Sequence, residues 1–254
     1  MKPQSSLPSM APKSFAPKRF FIMSLLLNLL VSFVVSFTVC AVFLNQKRSL
    51  NPEDIYNMNI SSVLEIRSTA SSGYSYGSGV VIDQGKILTN AHVVSFLDSG
   101  KRTTFDKIEA RDAFSTDYYP LEVKSYDENN DLALLTFSPS LFPKVSTITS
   151  DNGTLQTGSA CFALGNSNNL GLGFSAGTIS RYRVVLSIDG VSRELIASSL
   201  TIAPGNSGGA LLNSSGKLIG ITSLRLRESS GEISAGFAYS VPIAFGLTLL
   251  SRNS

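Results

Sequence analysis

Pro204-Gly205-Asn206-Ser207-Gly208-Gly209-Ala210-Leu211 sets one serine among three glycines and runs straight into an apolar stretch. Glycine lets the main chain enter conformations that other residues resist and approach a neighbour closely. A nucleophilic serine needs this setting, with its hydroxyl at a tight turn and backbone N–H groups aimed at a developing oxyanion. A flexible Gly/Ser loop would share the composition but does not account for the apolar run that follows at once. Working outward, similar short apolar and β-branched runs recur between Gly, Ser and Asn turns. They are Val63-Leu64-Glu65-Ile66, Val80-Val81-Ile82, Ile87-Leu88-Thr89, Leu132 to Phe137, Thr178-Ile179-Ser180 and Leu218 to Thr222. That spacing predicts an all-β sandwich or barrel from about Ser62 onward and not βαβ units.

Two further segments carry polar residues at the ends of such runs. Thr89-Asn90-Ala91-His92-Val93-Val94 follows a predicted hairpin and contains the only histidine of the chain. A histidine at a strand end is by itself as well explained by structure as by chemistry, but any imidazole base here must be His92. Asp131 opens the apolar run Leu132-Ala133-Leu134-Leu135. A carboxylate drawn into such a strand needs a partner, because burying it unpaired is costly. The alternative is an exposed aspartate in the turn Asp127-Glu128-Asn129-Asn130, where Asp127 is the rival.

Taken together, these stretches resemble the trypsin-like serine proteases, and within them the HtrA/Deg branch. The resemblance rests on Gly77-Ser78-Gly79-Val80-Val81-Ile82, Thr89 to His92, Asn130 to Leu134, Ala163-Leu164-Gly165-Asn166, Pro204 to Gly209 and Gly236-Phe237-Ala238. It implies two antiparallel β-barrels of the chymotrypsin-like kind, about residues 62–143 and 149–243, within a protease domain of residues 62–254. It implies catalytic roles for His92, Asp131 and Ser207, an oxyanion hole from the backbone N–H groups of Gly205 and Ser207, and a substrate pocket at Thr201 and Ile202. The implied activity is a serine endopeptidase acting through an acyl-enzyme on exported, unfolded or damaged proteins, in protein quality control. Thr201 stands six residues before the serine, where an aspartate would select Lys or Arg, so a small or medium apolar residue before the cut is expected. No peptide-binding PDZ domain is expected after the last family strand, and Ala203 stands where the family has asparagine. One alternative is an inactive protease-like domain that binds peptides or proteins; another is an esterase, although the Gly-x-Ser-x-Gly elbow of α/β-hydrolases is absent.

Composition narrows the partners. Six cations (Lys2, Lys13, Lys18, Arg19, Lys47 and Arg48) precede Ser49 without any acid, and the other 15 are outnumbered by 18 Asp and Glu. A basic nucleic-acid footprint is therefore not expected. One histidine and two cysteines, Cys40 and Cys161, favour neither a metal site nor a disulfide framework, and no cofactor is implied. Residues 20–44 carry no charge; as a helix they would span about 37 Å, enough for a bilayer core. A transmembrane anchor is expected, preceded by a disordered cytoplasmic tail (residues 1–19) and followed by a juxtamembrane linker (residues 45–61). The positive-inside bias then places the protease domain on the exported, periplasmic or extracellular, side. A cleaved signal peptide is the competing reading, and a lipoprotein signal at Cys40 is poorly matched.

Three smaller features complete the reading. Asn51-Pro52-Glu53-Asp54 has the cap, proline and acids of a helix start, a helix that would set the protease off from the membrane. Ser24, Asn28, Ser32 and Ser36 form a polar stripe that either associates helices in lipid or is satisfied by its own backbone; a homo-oligomer, common in the family, is left open. Asn59, Asn152 and Asn213 begin glycosylation triplets, a pattern frequent by chance.

Overall fold

A computed structural model of the chain describes residues 17–45, 50–71, 73–188, 190–227 and 233–253. The chain divides into two units, Met1–Arg48 and Ser49–Ser254. The first contains helix α1 (Pro17–Asn45), whose segment Phe20–Cys40 has a mean hydropathy of 2.4 and is unburied. It is long and apolar enough to cross a membrane. As described, the helix includes Pro17, Lys18 and Arg19, the last three residues of the expected tail. The rest of that expected tail, residues 1–16, and residues 46–49 of the expected linker lie outside the described residues. The Asn28 amide donates to the Ser24 carbonyl at 3.0 Å, so the helix backbone already satisfies one member of the polar stripe.

The second unit opens with α2 (Pro52–Asn59), capped as the sequence predicts: the Asn51 side chain accepts from the Asp54 N–H at 2.8 Å. Its expected role as a spacer is not what the packing shows. Ile55 is wholly buried in the main core and Tyr56 packs edge-on to Phe174, so the helix is part of the globular body. The Asn59 amide is buried on the Ile55 carbonyl, and Asn213 is bonded to Asp151 and to the N–H groups of Ser215 and Lys217, so both amides are engaged within the fold.

Strands β1 (Val63–Ala70), β2 (Gly73–Asp83) and β3 (Lys86–Asn90) lead to a one-turn helix α3 (Ala91–Val94). A hairpin of β4 (Ser95–Asp98) and β5 (Lys101–Thr104) follows, then β6 (Lys107–Arg111), β7 (Tyr119–Pro120), β8 (Glu122–Asp127) and β9 (Leu132–Thr136). They form a seven-stranded sheet in the order β7-β6-β1-β2-β3-β9-β8, with β4–β5 apart. The expected first barrel is thus left open between β7 and β8. The two-residue β7 contains Pro120, which has no N–H to carry a ladder onward. The second half is a closed antiparallel barrel of β10 (Ala160–Asn166), β11 (Leu172–Ile188), β12 (Val191–Ser198), β15 (Ile233–Pro242), β14 (Leu218–Arg227) and β13 (Ala210–Asn213).

The largest core cluster draws from both halves, joining Val63, Val80, Leu88 and Leu134 to Phe162, Leu212, Ile221 and Val241. A terminal helix α4 (Ile243–Ser251), absent from the sequence-based expectation, closes over it. A Cβ on Gly246 would lie 2.2 Å from Leu88 Cδ2, which shows how closely this helix approaches the first half. On the outer face of β1 and β6, Arg111 holds Glu65 through two bonds of 3.1 Å, and Glu109 receives Arg67 at 2.9 Å and Lys107 at 2.7 Å. The Tyr118 ring lies 4.1 Å from the Arg67 guanidinium and 5.1 Å from that of Arg111. Burial works against the charge on Glu109, but the Lys107 and Arg67 hydrogen bonds outweigh it and hold the carboxyl below its usual pKa.

Candidate active site

Register delivers the aspartate to the histidine. β3 pairs with β9 so that Thr89 faces Ala133 and Asn90 faces Leu132. One step further, Asp131 falls opposite Ala91, and the Ala91 N–H donates to the Asp131 carbonyl at 3.0 Å. The carboxylate then meets both the His92 main chain and its ring, with His92 N–H to Oδ1 at 3.1 Å and Nδ1 to Oδ2 at 2.6 Å. Asp131 is buried while the imidazole is about half exposed, its side chain at 46%. Among the described residues nothing bonds Nε2, the nitrogen facing away from the carboxylate. Asp131 adopts φ 54, a left-handed conformation that aspartate and asparagine tolerate better than most residues.

The serine lies in two successive four-residue turns. Asn206 N–H donates to Ala203 O at 3.1 Å, and Gly209 N–H to Asn206 O at 3.0 Å. Each turn has glycine at its third position with positive φ, +95 at Gly205 and +84 at Gly208, and the first has proline at its second. These are the residues that a type II turn demands. Glycine is required here by space as well: a Cβ on either would lie 2.0 Å from a backbone oxygen, of Asn166 for Gly205 and of Ser78 for Gly208. The double turn leaves the N–H groups of Gly205 and Ser207 without an acceptor among the described residues, although Gly205 is buried. Buried donors are otherwise nearly always satisfied, so two such groups beside one hydroxyl form a ready acceptor site for an oxyanion.

Two buried polar side chains stitch the two halves together at this point, and a third braces them from within the first half. Asn90 donates to the Asp131 carbonyl at 3.0 Å and accepts from the Gly208 N–H at 2.8 Å, so one amide spans the aspartate and the serine turn. The Ser78 hydroxyl donates to Gly205 O and accepts from Asn166 N–H, both at 2.8 Å, and its N–H donates to Ser207 O at 2.8 Å. Thr89 donates to Ser78 O at 2.6 Å. Sequence reading quoted the stretches that hold these residues but gave them no role. Their signal is a polar side chain at the inner end of an apolar strand.

The structure therefore brings together His92 and Asp131 by direct bonds and both with the serine turn through Asn90. It does not join Ser207 to His92: the hydroxyl donates to the Ser223 carbonyl at 2.7 Å. Of the two expected pocket residues, Thr201 is exposed, whereas Ile202 is buried in the core cluster of the second barrel with Leu200 and Ile219. Side-chain burial there follows the apolar interior and leaves Thr201 alone facing outward.

The model of the trypsin-like peptidase domain matches residues 77–221, which include His92, Asp131 and Ser207. The chain belongs to the trypsin-like peptidase family. Among similar peptidases, the serine endoprotease DegS of Haemophilus influenzae is 31% identical over 215 residues, covering 83% of this chain and 60% of DegS. The periplasmic pH-dependent serine endoprotease DegQ of Escherichia coli is 32% identical over 180 residues, covering 69% of this chain and 36% of DegQ. The chain thus spans between about a third and three fifths of these relatives. Among solved structures, an HtrA-type protease AlgW with tripeptide superposes with TM-score 0.68 at 25% identity, over 80% of this chain and 63% of AlgW. The Rv3671c protease from M. tuberculosis in its active form shares the fold, with TM-score 0.67 at 21% identity over 82% of this chain and 88% of that one.

Proposed function

We propose that this trypsin-like peptidase is a serine endopeptidase in which Ser207 is the nucleophile, His92 the general base and then acid, and Asp131 the group that fixes the imidazole. The observation that carries this reading is the bond from His92 Nδ1 to Asp131 Oδ2, which leaves Nε2 unbonded among the described residues, on a pair that Asn90 ties to the serine turn. In the reaction the Ser207 hydroxyl rotates from the Ser223 carbonyl toward Nε2 and attacks the scissile carbonyl carbon. Its proton passes to Nε2. The negative charge on the carbonyl oxygen is taken up by the N–H groups of Gly205 and Ser207. Nε2 then gives its proton to the departing amine, leaving an acyl-Ser207 ester; water, deprotonated by Nε2, hydrolyses the ester. Asp131 remains ionised and stabilises the imidazolium.

The substrates in this reading are exported, unfolded or damaged polypeptides, cut after a small or medium apolar residue accommodated near Thr201. The helix α1 anchors the chain in a membrane with its N-terminus cytoplasmic and the peptidase on the exported side, in keeping with the cations before the span. One observation favours a second reading, a peptide-binding module without turnover: the Ser207 hydroxyl is committed to Ser223.

A fluorophosphonate probe separates the two with the full chain in detergent. The enzyme reading requires labelling of wild type and none of Ser207→Ala. Asp131→Asn keeps the geometry but sets the wrong tautomer, and its turnover should fall on the order of 10⁴-fold. Labelling that is indifferent to Ser207→Ala would remove Ser207 as nucleophile, and absence of labelling and of casein cleavage in wild type would favour the binding module.

A further inference from the structure

A largely enclosed cation, Arg102, links the segments that carry His92 and Asp131. Arg102, on β5, has a side chain only 13% exposed. Its Nη1 donates to the Ser95 hydroxyl at 2.8 Å, and that hydroxyl, itself buried, donates to the Ala91 carbonyl at 2.6 Å. Ala91 opens α3 and immediately precedes His92. On its other side the guanidinium reaches the turn that presents Asp131. Its Nε lies 3.5 Å from Glu128 Oε1, an ionic approach without a hydrogen bond, and the Glu128 carbonyl accepts the Asp131 N–H at 3.3 Å. The same guanidinium lies 5.8 Å from the centre of the Tyr126 ring, and the Tyr126 hydroxyl is bonded to Thr104, next along the hairpin, at 2.9 Å.

The Arg102 Nε is buried without a hydrogen-bond partner, and as filling for the hairpin an apolar side chain of similar volume would serve as well. Arginine differs from such a residue in having a rigid fork whose nitrogens are set at a fixed separation. Here one arm of the fork leads to the segment that carries the imidazole and the other to the turn that carries the carboxylate.

We infer that Arg102 is a positioning residue, which sets the spacing of α3 and the Glu128–Asp131 turn and so the approach of His92 to Asp131. This rests on the enzyme reading for its consequence in catalysis, but its geometric content does not. His92 is the only histidine, so ¹⁵N-histidine labelling of the full chain in detergent gives one imidazole, whose Nδ1 proton is shifted far downfield by the Asp131 bond. Arg102→Met should broaden or abolish that resonance and slow fluorophosphonate labelling by about tenfold per folded molecule, with KM for peptide unchanged. Arg102→Lys, which keeps the charge but lacks the fork, should label as slowly as Arg102→Met, and a return to the wild-type rate overturns the inference. A merely structural staple for the β4–β5 hairpin would lower the melting temperature and leave the resonance, the labelling rate and kcat per titrated site as in wild type; that result overturns the inference. Should Arg102→Met not fold, Glu128→Gln, at an exposed side chain, must move the resonance in the same direction, and an unmoved resonance overturns the inference too. A resonance that responds to Arg102 in a wild type that never labels would uphold the positioning and sink the enzyme reading instead.

Discussion

Two glycines with nearly the same backbone angle should respond very differently to alanine. Gly208 (φ +84) and Gly100 (φ +81) both lie in the left-handed region, where an L side chain costs about 1–2 kcal/mol. Around Gly100 a Cβ meets nothing within 4 Å, so Gly100→Ala carries that strain alone. Around Gly208 a Cβ would lie 2.0 Å from Ser78 O and 2.1 Å from Thr89 Oγ1, and the first is main chain that no rotamer change can move. Relief of the overlap must displace the Gly208 N–H from Asn90 and Thr222, both at 2.8 Å, or the Thr89 hydroxyl from Ser78. At about 1 kcal/mol for each bond lost, with both Gly208 N–H bonds broken, Gly208→Ala should cost about 3 kcal/mol against about 1 kcal/mol for Gly100→Ala. For a domain of this size each kcal/mol lowers the melting temperature by about 2–4 °C. The chain has eight tyrosines and no tryptophan, and every tyrosine lies beyond α1, so near-ultraviolet circular dichroism in detergent reports on the second unit alone. If the two variants melt within about 2 °C of each other, the account of the seam as a rigid main-chain contact is wrong.

Two further outcomes follow from the ionisable groups. Because the Glu109 carboxyl is held below its ordinary value of 4.5, its contribution to stability is fully present above that pH and is lost as pH falls through the lowered pKa. Glu109→Gln should therefore melt well below wild type at pH 7 and close to it in strong acid; a gap independent of pH would contradict this. Burial pushes the Cys161 thiol up to about 12, so in a Cys40→Ser background iodoacetamide at pH 8 should modify the unfolded chain and leave the folded one untouched, as judged by mass spectrometry.

The sequence made some of this architecture plain and concealed the rest for identifiable reasons. Strand runs such as Val80 to Ile82 and Leu132 to Thr136 were legible because alternation and turn residues are local properties. The open edge of the first sheet was not, since it depends on whether β7 can pair, and a two-residue strand leaves almost no pattern. Helix α4 escaped because Ile243 to Leu250 is apolar on nearly every side and reads as strand or helix alike. At the site, Ser207 was marked by its own glycines and His92 by being the only histidine. Asp131 required a register, which no local stretch contains. Ser78, Asn90 and Asn166 were hidden still further, because a polar residue in a strand acquires meaning only when the opposite half of the molecule is in place. Ile202 shows the converse, a position inferred from distance along the chain whose side chain the barrel interior claims.

The Asn90 amide, shared between Asp131 and Gly208, also makes the two halves depend on one another. The amino-terminal sheet holds His92 and Asp131 and, in Ser78, Thr89 and Asn90, one of the surfaces against which the Ser207 turn is shaped, but not the turn itself. The turn is seated between that surface and the second barrel, through Ser78 and Asn90 on one side and the main chain of Asn166 and Thr222 on the other. In a molecule built this way neither half holds the whole constellation, so parting the two halves takes the serine turn away from the His92–Asp131 pair.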